Sequence, residues 1–454
     1  MSTTPTHTTL RRALPGRFLL PGDAGWDAAR QAWNLAADQQ PVAVAVPTTP
    51  KEVAAVVTAA RERGLRITAQ TTGHAAAALA DLHDTVLLKT ADLNGVHIDP
   101  QARQARIGAG TLWIEVAEPA AEHGLAALAG SSPDVGVAGY TLGGGLSWLA
   151  RKHGLACNRL LAAEAVTADG DLIRADPGHE PDLFWALRGG GGSFAVVTAL
   201  EFELLPIPRI YAGGLFWPWE RAGEVLHAWN TWQATAPEEI TSSARILHLP
   251  EPAAPLPGRS VVNIDAAVLG DQRFGEQVLA PLRGLAPGLD TFAMVAPAAL
   301  SRLHLDPEQP VPVISDHRLF GELPPAGIDA LVQTAGPGSG SRLVTVELRQ
   351  LGAALARPTP GSGALTSIDA TFALIAGGIA DRPETGAAVA EDLERLTGAM
   401  RPWDTGRRYL NFAEGPAEAS TLFPPETYLR LRRVKAQVDP GDVIRSHHPI
   451  PPTP

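Results

Sequence analysis

The sequence predicts an α+β fold, and three observations carry that prediction. Residues 42–69 read as strand, helix and strand. Residues 166–174 and 196–204 read as a hairpin and a cleanly alternating strand. The 45 Gly and 40 Pro among 454 residues are high for a helical protein and suit one rich in short strands and loops.

Taken in order, the N-terminal MSTTPTHTTLRRALPGRFLLPGD has an Arg pair but no apolar run before Pro15 and Gly16, so it is not read as a signal peptide. VAVAV at 42–46 is a buried strand stopped by Pro47. Thr49 then caps a helix, with Pro50 in its first position and Glu52 completing a capping box. Val53, Val56, Val57 and Ala60 keep helical spacing, and Gly64 ends the element. Residues 65–69 form the next strand, which runs into the loop Gln70-Thr71-Thr72-Gly73-His74. Strands follow at 85–89 and 103–108, and a helix at 112–123 that tolerates Pro119 and stops at Gly124. Asp169-Gly170 supplies the hairpin turn of 166–174. Pro206 and Pro208 mark a boundary. Between 209 and 407 come Pro-rich interruptions (250–258, 307–312, 357–360), tryptophans that include Trp217, Trp219, Trp229 and Trp232, and a strand at 344–348. A basic amphipathic helix at 425–438, an Asp439-Pro440 turn and a tail expected to be disordered complete the chain. There is no internal repeat.

Composition excludes several functions. With 37 Lys+Arg against 48 Asp+Glu the net charge is −11, the wrong sign for a nucleic-acid binder. A single cysteine, Cys157, excludes an internal disulfide framework and a Cys-cluster metal site. No two His, Asp or Glu pairs sit at metal-ligand spacing in a convincing helix, so no metal is expected. No stretch approaches the roughly 18 apolar residues of a membrane span, and the chain is expected to be cytoplasmic.

Three glycine-rich stretches lie before residue 200: 136–139, 143–145 and 189–192. Glycines let backbone N–H groups approach phosphates or a flat ring. Each stretch alone is weak, because such clusters are usually turns. The dinucleotide fingerprint fails, since Gly108-Ala109-Gly110 lacks its third glycine and 143–145 follows no apolar strand. No Walker A lysine or HExxH is present.

Together the stretches carry a resemblance. GH at 73–74, GVAGYTLGGGLSWLARKHGLACN at 136–158, DLFWALRGGGGSFAVVT at 182–198, YLNF at 409–412 and RLRRVKAQVDPGDVI at 430–444 resemble the berberine-bridge-enzyme-like branch of the vanillyl-alcohol-oxidase/PCMH superfamily. The resemblance implies a PCMH-type FAD-binding domain, residues 1–207 returning at 408–454. Inserted at 208–407 would be a substrate domain, an antiparallel sheet flanked by helices. Length and pattern are most similar to the singly linked bacterial amine oxidases of the branch. FAD would then be tethered by one 8α-histidyl bond at His74; where doubly linked members have a second anchoring cysteine, this chain has Ser132. The cofactor would lie against Gln70, Thr71, Thr72, Gly73 and Ala75; against Ser132, Pro133, Val135, Gly136, Gly139, Tyr140, Gly143 and Gly144; and against Leu155, Asn158, Val196 and Asn411. Val135 sits where the family gates oxygen and resembles the oxygen-reactive members. Cys157 reads as a buried, inert thiol.

The catalytic base is less legible. Where plant members carry a tyrosine after the triple glycine, this chain has Leu146. Segment 371–378 has no ionisable group, and Phe412 replaces a second aromatic hydroxyl. On the strand at 344–350, period 2 puts Thr345, Glu347 and Arg349 on one face. Glu347 and Arg349, with Tyr409, are the catalytic candidates. The competing reading makes the two charges part of a solvated outer face. His248, His304, His317, Trp217 and Trp219 are unranked pocket candidates. The expected function is hydride transfer from a small or mid-sized amine or alcohol to FAD, with O2 as reoxidant giving H2O2. An oxygenating enzyme tailoring a natural product in secondary metabolism, or a flavin-binding protein without turnover, are the alternatives.

Overall fold

A computed structural model describes residues 10–79, 81–248 and 260–453. The first nine residues, the Pro-rich stretch 250–258 and Pro454 lie outside the described residues. Three sheets organise the rest. The first holds β1 (Phe18–Leu19), β2 (Ala43–Ala45), β3 (Arg66–Gln70) and β4 (Thr85–Lys89) in the order β1-β2-β4-β3. The strand-helix-strand unit read from sequence is therefore present, but β2 and β3 are not neighbours: both pair in parallel with β4 between them. Helix Pro50–Arg61 makes the crossover with Val53, Val56, Val57 and Ala60 buried. Its cap differs in one detail, because Glu52 reaches the backbone N–H of Thr48, not of Thr49.

The second sheet holds β5 (Val96–Asp99), β6 (Gln104–Gly108), β7 (Leu160–Val166), β8 (Leu172–Ala175) and β9 (Val196–Glu203), antiparallel in the order β5-β6-β9-β7-β8. The predicted hairpin is β7–β8, with Gly170 at φ +90° in the turn, where only glycine sits without strain. Helices Trp113–Glu122 and Pro181–Leu187 pack into the same core.

The third sheet is antiparallel and collects β10 (Ile210–Pro218), β11 (Ile240–His248), β12 (Ser260–Val268), β13 (Leu289–Asp290), β14 (Ala293–Val295), β15 (Val313–Phe320), β16 (Thr345–Gln350) and β17 (Phe372–Ile379). Its order is β13-β10-β12-β11-β16-β17-β15, with β14 on β10. Helices Ala222–Gln233, Pro325–Ala335 and Pro383–Met400 bury apolar stripes in a core separate from the first two sheets.

The chain then returns. Helix Pro425–Val438 packs into the second sheet's core, and Ile444 bridges Ile67 of β3. The expectation of a disordered tail is corrected here. Ile450 is fully buried, its N–H donates to Ser193 Oγ at 3.2 Å, and Arg432 holds the carbonyls of Pro451 and Pro452. A pocket for Ile450 outweighs the local preference of a Pro-rich tail for disorder.

Candidate functional site

Strand β3 ends at Gln70, and the following loop turns at Gly73, whose φ of +92° would strain a side chain. His74 comes next. Its ring stacks on the Trp33 indole at 4.0 Å and 17°. Nδ1 meets the Thr72 hydroxyl at 2.8 Å, and Nε2 faces Asp134 Oδ1 at 3.7 Å. Asp134 is fixed in turn by the Trp33 indole N–H, which donates to Oδ2. Among the described residues, His74 Nε2 and Asp134 Oδ1 are buried atoms with no hydrogen-bond partner. The rest of the loop is anchored. Thr71 reaches the Thr90 hydroxyl at 2.9 Å and the Ala109 carbonyl at 3.0 Å. Gln70 bridges Gln39 and Lys89 at 2.8 and 2.7 Å, and burial pushes the Lys89 ammonium down to about 8. Ala75 is half-buried beside His74.

Residues 132–145 lie against this loop. A Cβ on Gly136 would come within 2.9 Å of Thr71, so only glycine allows the approach. Gly139 is the opposite case: a Cβ there would meet nothing within 4 Å, and its side of helix Val137–Leu142 faces open space. At Gly143 a Cβ would collide with Asn411 Oδ1 at 1.8 Å, while Asn411 Nδ2 donates to the Tyr140 carbonyl at 2.8 Å. At Gly144 a Cβ would come within 3.0 Å of the Tyr409 ring. The Pro133 and Val135 carbonyls receive the N–H groups of Ile114 and Trp113, each at 3.0 Å. Burial raises the phenols of Tyr140 and Tyr409 well above their ordinary range. Tyr409 is thus a neutral donor near neutrality, and its backbone N–H donates to His317 Nε2 at 2.9 Å. Burial, helped by Arg408 and Arg318, pushes His317 down to about 3.

Three of the residues expected around the cofactor use their side chains elsewhere. Leu155 packs with Leu146 and Cys157, Val196 lies in the first sheet's core, and Asn158 clamps Gly363 and Leu365 at 3.0 Å each. The Cys157 thiol is buried and pushed up to about 12, which makes it inert as expected.

The solvated-face reading of Glu347 and Arg349 is overturned. They are 5% and 7% exposed, on a face of the third sheet that the register fills with charge. Arg245 of β11 stands opposite Glu347, and Ser243 opposite both Arg349 and Asp265 of β12. Arg349 Nε donates to Glu347 Oε1 at 2.6 Å, and Arg245 pairs with Asp265 at 2.6 Å. His304 sits among them, 3.7 Å from Glu347, 3.3 Å from Ser243 Oγ and 3.7 Å from Asp306. Trp148 meets its ring edge-on at 4.9 Å. Burial alone would raise the Glu347 carboxyl, but Arg349 and His304 hold it below its ordinary value. Asp265 goes the other way, its burial outweighing Arg245. Asp306 is desolvated too, yet His304 and Arg245 keep it well below the carboxylate range.

A direct bond joins the two regions: Ser132 Oγ donates to Asp306 Oδ2 at 2.7 Å. His304 is thereby ranked among the histidine candidates. Trp217 is a core residue, and Trp219 and His248 pair with each other near the end of β11. Trp33, Asp134, Arg245, Asp265 and Asp306 were not read from the sequence. Asp265 left a signal there, a charge inside the apolar run VVNIDAAV; Trp33 and Asp134 left none, being 101 residues apart.

The residues present fit a flavin cofactor: an imidazole just past a glycine turn with a quarter of its side chain exposed, an open glycine face at Gly139, and loops closed down to glycine-only spacing. Comparison with known proteins agrees. Residues 41–176 match the family described as FAD binding domain. The chain is 30% identical over 461 residues to (R)-6-hydroxynicotine oxidase of Paenarthrobacter nicotinovorans, covering 97% of each chain. It is 25% identical to chitooligosaccharide oxidase of Gibberella zeae, covering 95% of this chain and 91% of that one. Among solved structures it resembles 6-hydroxy-D-nicotine oxidase from Arthrobacter nicotinovorans (26% identity, TM-score 0.82, 99% of each chain). It shares the fold of the Physcomitrella patens protein BBE-like 1 (21% identity, TM-score 0.86, 99% of each chain).

Proposed function

The chain belongs to the berberine-bridge-enzyme-like branch of the vanillyl-alcohol-oxidase/PCMH superfamily of FAD-linked oxidoreductases, and from that premise we propose an oxidase of a small or mid-sized organic amine. Residues 1–207 and 408–454 are read as the part that holds FAD, and 208–407 as the part that holds substrate. FAD would rest against loops 70–75 and 132–144 and against Asn411, with a single covalent tether at His74. The cofactor supplies the redox chemistry: a hydride equivalent taken from a substrate C–H and passed to O2 as H2O2.

The protein supplies position and proton handling. Glu347, kept ionised by Arg349, accepts the proton of a substrate amine so that its lone pair is free. Arg349 holds that carboxylate in one orientation, and His304 backs it from the other side. Tyr409 presents a neutral hydroxyl, while Trp148 and Phe412 wall the Arg349 guanidinium at 5.7 and 5.5 Å and exclude water. The observation that carries this reading is the buried Glu347–Arg349 pair, linked to the segment beside His74 through His304, Asp306 and Ser132. A relative that oxidises a hydroxynicotine favours an amine over an alcohol.

Anaerobic mixing of the flavin-loaded protein with panels of secondary and tertiary amines, alcohols and sugars tests it. Bleaching of the oxidised-flavin absorbance by amines is expected, with H2O2 formed when air is admitted. Bleaching by alcohols or sugars alone overturns the amine assignment, and no bleaching by any panel overturns the oxidase.

A further inference from the structure

We infer that Asp134 is the residue that makes His74 competent to bond covalently to the flavin, by holding the proton on Nε2 and leaving the lone pair on Nδ1. The inference rests on the proposed His74 tether. A neutral imidazole carries one proton, and the charges and dipoles facing its two nitrogens decide which nitrogen is free. Here Asp134 Oδ1 stands 3.7 Å from Nε2. A carboxylate facing an imidazole lone pair is repelled, whereas one facing N–H is attracted, so the proton belongs on Nε2. Nδ1 then accepts from the Thr72 hydroxyl at 2.8 Å. The Trp33 indole serves both partners at once, stacking on the His74 ring and donating to the other oxygen of Asp134. This arrangement fixes the carboxylate and the ring against each other while 25% of the His74 side chain stays exposed.

The bond formed joins Nδ1 to the 8α-methyl carbon of the flavin, and the bond broken is one C–H of that methyl. Alkylation at Nδ1 would make the ring cationic. Asp134 stabilises that charge, as the carboxylate behind a triad histidine does, until the Nε2 proton is lost to solvent. The two electrons released go to O2 with the two protons, giving one H2O2 per flavin attached. Asp134 thus acts on the cofactor only through His74 and is a positioning residue.

Apo-protein given FAD and air is followed by acid precipitation, which separates covalent from dissociable flavin. Asp134→Asn should still bind FAD but attach it at least about 100-fold more slowly, a loss in line with removing the carboxylate from a nucleophile–base pair. Asp134→Glu should recover most of the rate. Raising the pH should speed the Asn variant, where hydroxide removes the proton, and leave wild type flat. In wild type, the flavin-bearing peptide should carry the bond at Nδ1 by NMR. A bond at Nε2, or an Asn variant attaching flavin at the wild-type rate, overturns the inference. Flavin fully extracted from wild type by acid would instead overturn the covalent tether itself.

Discussion

Ser132 donates its hydroxyl to Asp306 across 2.7 Å, and that contact joins the loop beside His74 to the buried charges of the third sheet. Two residues on, Asp134 faces His74 itself. One short segment therefore addresses both halves of the candidate site, and a change at either end reaches the other.

Ser132→Ala should uncouple them. The bond is to a charged, partly exposed acceptor, so the stability lost is about 1 kcal/mol. The larger effect should fall on substrate, because Asp306 then swings free of His304. An increase in KM for amine with kcat little changed, read by oxygen uptake, is the expected result; equal loss in both parameters contradicts it.

His74→Ala should release all flavin to the supernatant on acid precipitation while native protein still binds FAD. The glycine-only approaches at Gly136 and Gly143 do not depend on the imidazole. Amine oxidation by the reloaded variant should be slower than wild type, with its thermal midpoint close to that of wild-type apo-protein.

Glu347→Gln should lower kcat/KM for amines by about 100-fold or more, the contribution typical of a positioned proton acceptor. Glu347→Ala should also cost about 3–5 kcal/mol, because it leaves Arg349 buried without its carboxylate. The folded carboxyl lies below its ordinary 4.5. Its contribution to stability is thus complete above that value and is lost as pH falls through the lowered one. Acid titrations followed by circular dichroism should show the Gln variant less pH-sensitive than wild type in that window.

How much of this was legible follows from range. Thr49, Pro50 and Glu52 announced their helix because capping is local, and Asp169-Gly170 announced its turn for the same reason. Glu347 and Arg349 were legible as a same-face pair, yet their burial was not: it comes from β11, β12 and His304, none of them local in sequence. The unread insertion of β4 between β2 and β3 is likewise a pairing choice that neither strand's own residues encode. Ile450 shows the reverse error, a Pro-rich tail judged by composition but held by a buried side chain and by Arg432.

Lys435 closes the C-terminal return and provides the stability test. It is fully buried, and its ammonium donates to the Ser193 and Ile444 carbonyls at 2.8 and 2.6 Å and to Asp439 at 2.5 Å. Asp439 also accepts from the N–H groups of Val443 and Ile444 at 2.9 and 2.8 Å. Lys435→Met removes the cation and leaves that carboxylate buried, a change that should cost about 3–5 kcal/mol in urea unfolding. The double change with Asp439→Asn should recover part of the loss, since no charge then stays buried and the amide oxygen still accepts one of the two N–H groups. Ser193 ends the glycine run 189–192, so the single variant should also loosen that loop and bind FAD less tightly in the His74→Ala background. A variant that unfolds at the wild-type midpoint would mean the ion pair contributes nothing net against its own desolvation.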